Sequence, residues 1–221
     1  MHELIVLAKA PRPGLAKTRL ARAPGVGAGG AAALADAFLR DTVAACGRVA
    51  GARLTLCFSP ADAEPFFREL APNARVEPQR DGDLGARIDG AFDAAFRAGA
   101  TRAVALGMDT PHVTPERLSR AFAELERADS VFGPATDGGY YLIGLRERRP
   151  ELFRDVEWST PRVLAQSLEC ARAAGIEVAL LDELFDVDDE GALERLERLI
   201  AANDELCPHT ARALAALGRA R

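Results

Sequence analysis

Lysine is nearly missing from this sequence: Lys9 and Lys17 are the only two among 28 basic residues. Aromatic residues are also scarce, with one tryptophan and two tyrosines in 221 residues. The four cysteines, Cys46, Cys57, Cys170 and Cys207, are scattered without a C-x-x-C pair, which excludes a disulfide framework and a zinc cluster. The early apolar run Leu4 to Ala8 falls far short of the ~18 residues a membrane span needs, and no basic leader or small-residue cleavage site accompanies it. No membrane span is expected, and the expected location is the reducing cytoplasm. With 48% hydrophobic and 28% charged residues the composition is that of a folded globular chain, neither disordered nor collagen-like.

Acid is missing from one stretch in particular. The net charge is −5, which argues against a nucleic acid polymer as partner, yet Leu4 to Ala35 contains no Asp or Glu and carries Lys9, Arg12, Lys17, Arg19 and Arg22. A cationic island in an acidic protein suits a small anion. Both lysines fall inside it, where the rest of the chain uses arginine, as expected if a compact ammonium is wanted there.

The island follows a predicted buried strand, Leu4 to Ala8, and begins Lys9-Ala10-Pro11-Arg12-Pro13-Gly14. Pro13 and Gly14 turn the backbone and, with Lys9, are candidate nucleotide contacts; Lys17 and Arg19 are then expected to present exposed heads to a di- or triphosphate. A Walker A loop is excluded, because its first glycine position holds Pro11 and Ala16 precedes Lys17-Thr18. The competing explanation is a solvated basic surface segment.

Strands and helices then alternate. Helices are expected over 29–49, 62–70, 84–98, 115–127, 160–174 and 190–203, and strands over 53–59, 75–77, 102–106, 130–134, 140–145 and 176–181, with a final segment to Arg221. This pattern predicts one domain over residues 1–221, a three-layer α/β/α fold with a mostly parallel mixed sheet, and binding residues at the carboxyl ends of the strands.

Carboxylates sit at three such ends. Gly107-Met108-Asp109-Thr110-Pro111 delivers Asp109 just past an apolar strand, suited to a hard divalent cation or to a turn or helix cap. In Asp186-Val187-Asp188 an extended backbone would aim both carboxylates one way and the valine into the core; Asp188 is the candidate second ligand, and capping by Asp188 or Asp189 accounts for part of the acidity. Asp137-Gly138-Gly139 is a turn between two apolar runs, followed by Tyr140 and Tyr141, with Trp158 nearby. These rare aromatics fit either a substrate pocket or ordinary packing. His2, His112 and His209 lack ligand spacing and are expected at the surface or at caps.

Taken together, these segments resemble the nucleotide-diphospho-sugar transferase superfamily with the GT-A fold, and within it a bacterial glycosyltransferase family of the arsenosugar-biosynthesis type. The residues carrying the resemblance are Lys9 to Leu20, Gln79 to Arg87 with Gly82-Asp83-Leu84-Gly85, Gly107 to Pro111, Gly133 to Tyr141 and Asp186 to Asp188. The 2-phospho-lactate and molybdenum-cofactor guanylyltransferases are similar over the same N-terminal loop and strand-end aspartate. The resemblance implies Lys17 and Arg19 on the donor phosphates, Gln79 and the loop Gly82, Asp83, Leu84 and Gly85 near base and ribose, and Mg or Mn on Asp109. Gly138, Gly139, Tyr140, Trp158 and Thr160 are the candidate substrate contacts. Two departures stand out: Trp158-Ser159-Thr160 where the family usually has Trp-Gly-Thr, and Gly-x-Asp in place of a full Asp-x-Asp.

The implied activity is metal-dependent transfer from a nucleotide sugar to a small acceptor, with Asp137 as base. The alternative is nucleotidyl transfer from a nucleoside triphosphate to a phosphorylated molecule, and a lesser one is a nucleotide sensor without chemistry. The oligomeric state is not encoded in any of these motifs.

Overall fold

In the computed structural model, residues 1–219 are described; the last two residues of the expected domain, 220 and 221, lie outside the described residues. Successive side chains of the first strand, β1 (His2–Lys9), point into two different cores, with Leu4, Val6 and Ala8 on one face of the sheet and Ile5 on the other. That alternation is why the strand reads as a continuous apolar run: both of its faces are covered.

After β1 the chain runs through α1 (Gly27–Gly47), β2 (Ala52–Ser59), α2 (Glu64–Leu70), β3 (Arg75–Pro78), α3 (Leu84–Arg97), β4 (Arg102–Gly107) and α4 (Pro115–Glu124). It continues with β5 (Ser130–Pro134), β6 (Tyr140–Leu145), α5 (Val163–Ala173), β7 (Val178–Leu180), α6 (Glu190–Ala202) and α7 (Pro208–Ala216). The seven strands form one sheet in the order β3-β2-β1-β4-β6-β5-β7, and β6 alone runs antiparallel to its neighbours. This is the expected α/β/α architecture with a mostly parallel mixed sheet.

Helices α1, α2 and α4 cover one face, contributing Leu39, Phe67 and Leu118, while α3 and α5 cover the other with Ile88, Phe92 and Ala171. Each such fully buried large side chain contributes on the order of 2 kcal/mol. The back of α1 is apolar too: Leu34 and Phe38 pack against Leu193 and Leu196 of α6 and Leu214 of α7. None of the described helices is long and apolar enough to cross a membrane.

Several boundaries differ from expectation. Helix α1 begins at Gly27, two residues early, and α4 ends at Glu124 because the following residues turn. Helix α5 starts at Val163 and not Thr160, since a residue preceding a proline, here Pro161, is driven out of helical geometry. Strand β7 is only Val178–Leu180.

The unassigned C-terminal segment contains α7, whose cap comes from far away in sequence. Asp41, buried in α1, accepts from the backbone N–H groups of His209 (2.9 Å) and Thr210 (2.8 Å) and from the Thr210 hydroxyl (2.6 Å). His112 also departs from expectation: it is 6% exposed, tilted on the Phe185 ring at 4.3 Å, and neither ring nitrogen has a hydrogen-bond partner. Burial, with smaller contributions from Arg195 and Arg117, lowers its pKa to about 4.

Two outcomes follow from these contacts. Asp41→Ala removes the cap and orphans buried donors, and is expected to lower stability by about 2 kcal/mol, or Tm by about 4–8 °C, in a thermal melt. For His112 the folded pKa lies below the unfolded value of 6.5, so the unfolded chain takes up the proton first and stability falls as pH drops from 6.5 toward 4. Urea unfolding at pH 7 and pH 5 should show a loss of about 2 kcal/mol attributable to this group, absent in His112→Leu.

Candidate active site

Strands β1 and β4 are hydrogen-bonded neighbours, but the chain leaves β1 toward β2 on one side while β4 lies on the other. Their carboxyl ends therefore open a crevice at the point where strand order reverses, the usual ligand position in α/β sheets. Lys9 ends β1 there, in register with Ser59 of β2, and Asp109 follows the end of β4.

The loop after β1 folds back on itself. The Arg12 carbonyl accepts from the N–H groups of Leu15 (3.0 Å) and Ala16 (3.2 Å), with Gly14 at φ +77° completing the turn. Pro13 and Gly14 thus shape the loop and do not line the crevice. Lys17 itself has left-handed backbone, φ +49°.

Contrary to expectation, the Lys17 head is buried, its side chain only 5% exposed. Its ammonium donates to Asp109 Oδ1 at 2.6 Å, Asp188 Oδ1 at 2.7 Å and the Val187 carbonyl at 2.8 Å. All three of its N–H donors are thereby used. Burial alone would lower the Lys17 pKa, but the carboxylates of Asp109 and Asp188 outweigh it and the pKa is raised.

The Asp186–Asp188 segment reaches this point through the backbone. Val187 N–H donates to the Asp109 carbonyl at 2.8 Å, and the Val187 side chain is fully buried against the α1 and α6 side chains. Asp186 and Asp188 consequently turn to the side opposite Val187, as the alternation predicts, both half-buried. Asp189, not Asp188, is the helix cap, accepting from Ala192 N–H at 2.9 Å. Asp186 accepts from the Thr110 hydroxyl at 2.5 Å; burial, together with the charges of Asp109, Asp137 and Asp188, raises its pKa to about 6 despite that bond.

A cleft of about 450 Å³ lies over these groups, and Lys9, Lys17, Arg19, Gln79, Leu84, Asp109 and Asp188 are among its walls. Lys9 and Arg19 are exposed, and neither forms a salt bridge among the described residues. Gln79 is held across two strands, its amide nitrogen donating to the carbonyls of Ala8 (3.2 Å) and Cys57 (2.9 Å). Arg87, Leu15 and Ser59 also line the cleft and were not singled out in the sequence, although Arg87 closes the Gln79 to Arg87 stretch.

A second cleft of about 440 Å³ shares Arg19 and Asp188 with the first and contains Asp137, Asp186, Asp189 and Arg195. Asp137 Oδ1 accepts from Gly139 N–H at 2.9 Å, which fixes the carboxylate in the turn and leaves Oδ2 without a partner among the described residues.

Other expected residues have structural positions outside both clefts. Asp83 caps α3 through Ala86 N–H at 2.8 Å, and Gly82, at φ +122°, precedes that cap. Gly85 gives way to the Trp158 ring, which a Cβ there would meet at 2.4 Å. Trp158 and Tyr140 pack at the edge of the α3 and α5 core, Trp158 stacking on Phe153. A Cβ on Gly138 would lie 2.1 Å from the Pro161 carbonyl oxygen, so its backbone packs against that loop. Thr160 donates to the Glu157 carbonyl at 2.8 Å. Ser159 stands at φ +64°, a conformation that favours glycine.

Among the described residues no three His, Cys, Asp or Glu side chains gather to hold a metal by themselves. Asp109 and Asp188 do converge on one point, marked by the Lys17 ammonium. Two hard oxygen donors suit Mg or Mn, which complete their shells with water and phosphate oxygens.

Residues 42–160 match a family described as "Uncharacterized protein conserved in bacteria (DUF2064)". The chain is 29% identical to the 2-C-methyl-D-erythritol 4-phosphate cytidylyltransferase of Cereibacter sphaeroides, across 74% of this chain and 84% of that one. Its fold is similar to a crystal structure from Desulfovibrio desulfuricans G20, provisionally described as a nucleotide-diphospho-sugar transferase: TM-score 0.90, 33% identity, 98% of this chain and 96% of that one. At 11% identity and TM-score 0.59 it shares the fold of 4-diphosphocytidyl-2C-methyl-D-erythritol synthase from Anaerococcus prevotii, over 93% and 95% of the two chains. A strand-end crevice of this kind, on the fold of nucleotide-diphospho-sugar transferases and in a chain whose sequence relatives are transferases, makes this protein a transferase belonging to the DUF2064 family.

Proposed function

We propose that the protein transfers a group from a nucleotide-linked donor to a small acceptor, with a nucleotide sugar as the donor. The observation that carries this reading is the convergence of Asp109 and Asp188 on one cation at the β1/β4 crevice, beside the unpaired heads of Lys9 and Arg19. A polyphosphate lying in that cleft would meet both cations, and Arg19 offers it a charge-assisted fork of donors.

Asp109 and Asp188 would hold Mg or Mn. When bound, that ion would offset charge developing on the leaving phosphate oxygens. Gln79, immobilised by two carbonyls, would serve as a rigid wall for the nucleoside, with Leu84 supplying apolar surface for the base. The acceptor would enter through the second cleft. There Asp137 would take the proton of the attacking hydroxyl on Oδ2, its orientation held by Gly139 N–H. In this reading Gly138, Gly139, Tyr140, Trp158 and Thr160 support the acceptor side from behind.

A second reading is nucleotidyl transfer, with an acceptor phosphate attacking the α-phosphorus of a nucleoside triphosphate and releasing pyrophosphate. It is favoured by the cytidylyltransferase relative at 29% identity.

A thermal-shift screen of nucleoside diphosphates, triphosphates and nucleotide sugars tests the common part. At a hundredfold excess over Kd, a true ligand should stabilise by about 2.7 kcal/mol, a Tm rise of about 5–10 °C, in the presence of Mn. Asp109→Ala should abolish the Mn-dependent part of the shift, and no shift with any nucleotide would end the proposal. Removing the charge in Arg19→Ala should weaken the same ligand by about tenfold or more. Adding acceptor separates the two chemistries: pyrophosphate release from a triphosphate selects nucleotidyl transfer, and nucleoside diphosphate release from a nucleotide sugar selects glycosyl transfer.

A further inference from the structure

Lys17 sits at the one point toward which Asp109 and Asp188 both turn, and its presence there bears on how the site accepts a metal. The contacts from the ammonium to the two Oδ1 atoms, 2.6 and 2.7 Å, come from one nearly buried nitrogen. A Mg or Mn ion held by Asp109 and Asp188 would bring a divalent charge beside this ammonium, which draws on the same two carboxylates. The two cations would repel one another and compete for the same negative charge.

Three further features describe a socket and not a chance contact. The Val187 carbonyl supplies the third acceptor at 2.8 Å, so the ammonium is fully satisfied. The Phe38 ring lies 5.5 Å from it on the core side. The Lys17 backbone is held in the left-handed region at φ +49°, a conformation that non-glycine residues rarely adopt. On the solvent side Lys17 borders the same cleft as Lys9 and Arg19, so a displaced side chain has somewhere to go.

We propose that Lys17 and a divalent cation compete for the Asp109–Asp188 pair, so that metal uptake expels the ammonium from its socket into the donor cleft. Lys17 is then a positioning residue. Without an ion it offsets one of the two negative charges and ties the β1 loop to the segments carrying Asp109 and Asp188. Once displaced, it adds a third cation beside Lys9 and Arg19, and its release is coupled to loading of the ion. This rests on reading Asp109 and Asp188 as the ion's ligands.

The scarcity of lysine makes the test clean, because Lys9 and Lys17 are the only side-chain amines in the chain. The intact protein is acetylated briefly with an N-hydroxysuccinimide ester, with and without saturating Mn alone, and each lysine is read by peptide mass spectrometry. Lys9 should react in both conditions. Lys17 should be protected without Mn and become at least tenfold more reactive with it.

In parallel, Mn binding is titrated by electron paramagnetic resonance in the wild type and in Lys17→Met. The variant should bind Mn at least tenfold more tightly, having lost the internal competitor; a purely structural role would weaken binding instead. The proposal is overturned if Lys17 stays protected while Mn is bound, or if Lys17→Met binds Mn no more tightly. Should that variant fail to fold, the labelling of the wild type decides. A protein that binds nucleotide but takes up no Mn refutes the exchange and spares the donor reading, whereas failure of both nucleotide and Mn binding refutes both.

Discussion

One ammonium group organises the carboxyl edge of this sheet. Lys17 joins the loop after β1 to Asp109 at the end of β4 and to Val187 and Asp188 before α6, segments separated by up to 171 residues. In water such pairs are worth little, because solvent screens them and the side chains remain mobile. Here the lysine head is withdrawn from solvent and every donor is matched, so its burial depends on the two carboxylates that face it. That contact ties the β1 loop to both candidate ligands.

The rest of the molecule supplies rigidity around that contact. Val187 is anchored in the layer between α1 and α6, and its N–H is bonded to the Asp109 carbonyl, so the two aspartates are fixed by backbone as well as by charge. Gln79 is clamped to β1 and β2, and Asp137 is clamped in its own turn. Such preorganisation is what a transfer site needs, since donors and carboxylates already aimed at developing charge require no rearrangement during reaction. The exception is Lys17, whose strained backbone and exchangeable contacts mark the moving part.

Much of the fold was legible. The alternation of apolar strands and amphipathic helices predicted the layers, and the Asp109, Asp137 and Asp186–Asp188 segments do arrive at one edge of the sheet. The aromatic residues were less informative: Trp158 and Tyr140 lie in the α3 and α5 core, because a glycine neighbour such as Gly85 allows a ring to pack as readily as it allows a ligand to approach. Helix α7 was missed for a related reason. Its cap is Asp41, in another helix, and the local signal of its start is Pro208 at the first helical position, without a capping side chain beside it.

From sequence alone came the identity of the chemically able groups: an acid-free cationic loop, carboxylates placed after apolar strands, and the period that puts Val187 inward with Asp186 and Asp188 on the opposite side. These are local properties, set by backbone geometry and side-chain type. Which partners those groups choose was decided only by the tertiary structure. Whether Lys17 faces solvent or two carboxylates, and whether His112 lies at the surface or under Phe185, depends on the desolvation and charge that distant segments bring together. Burial changes the worth of a charge far more than the spacing of residues along the chain does.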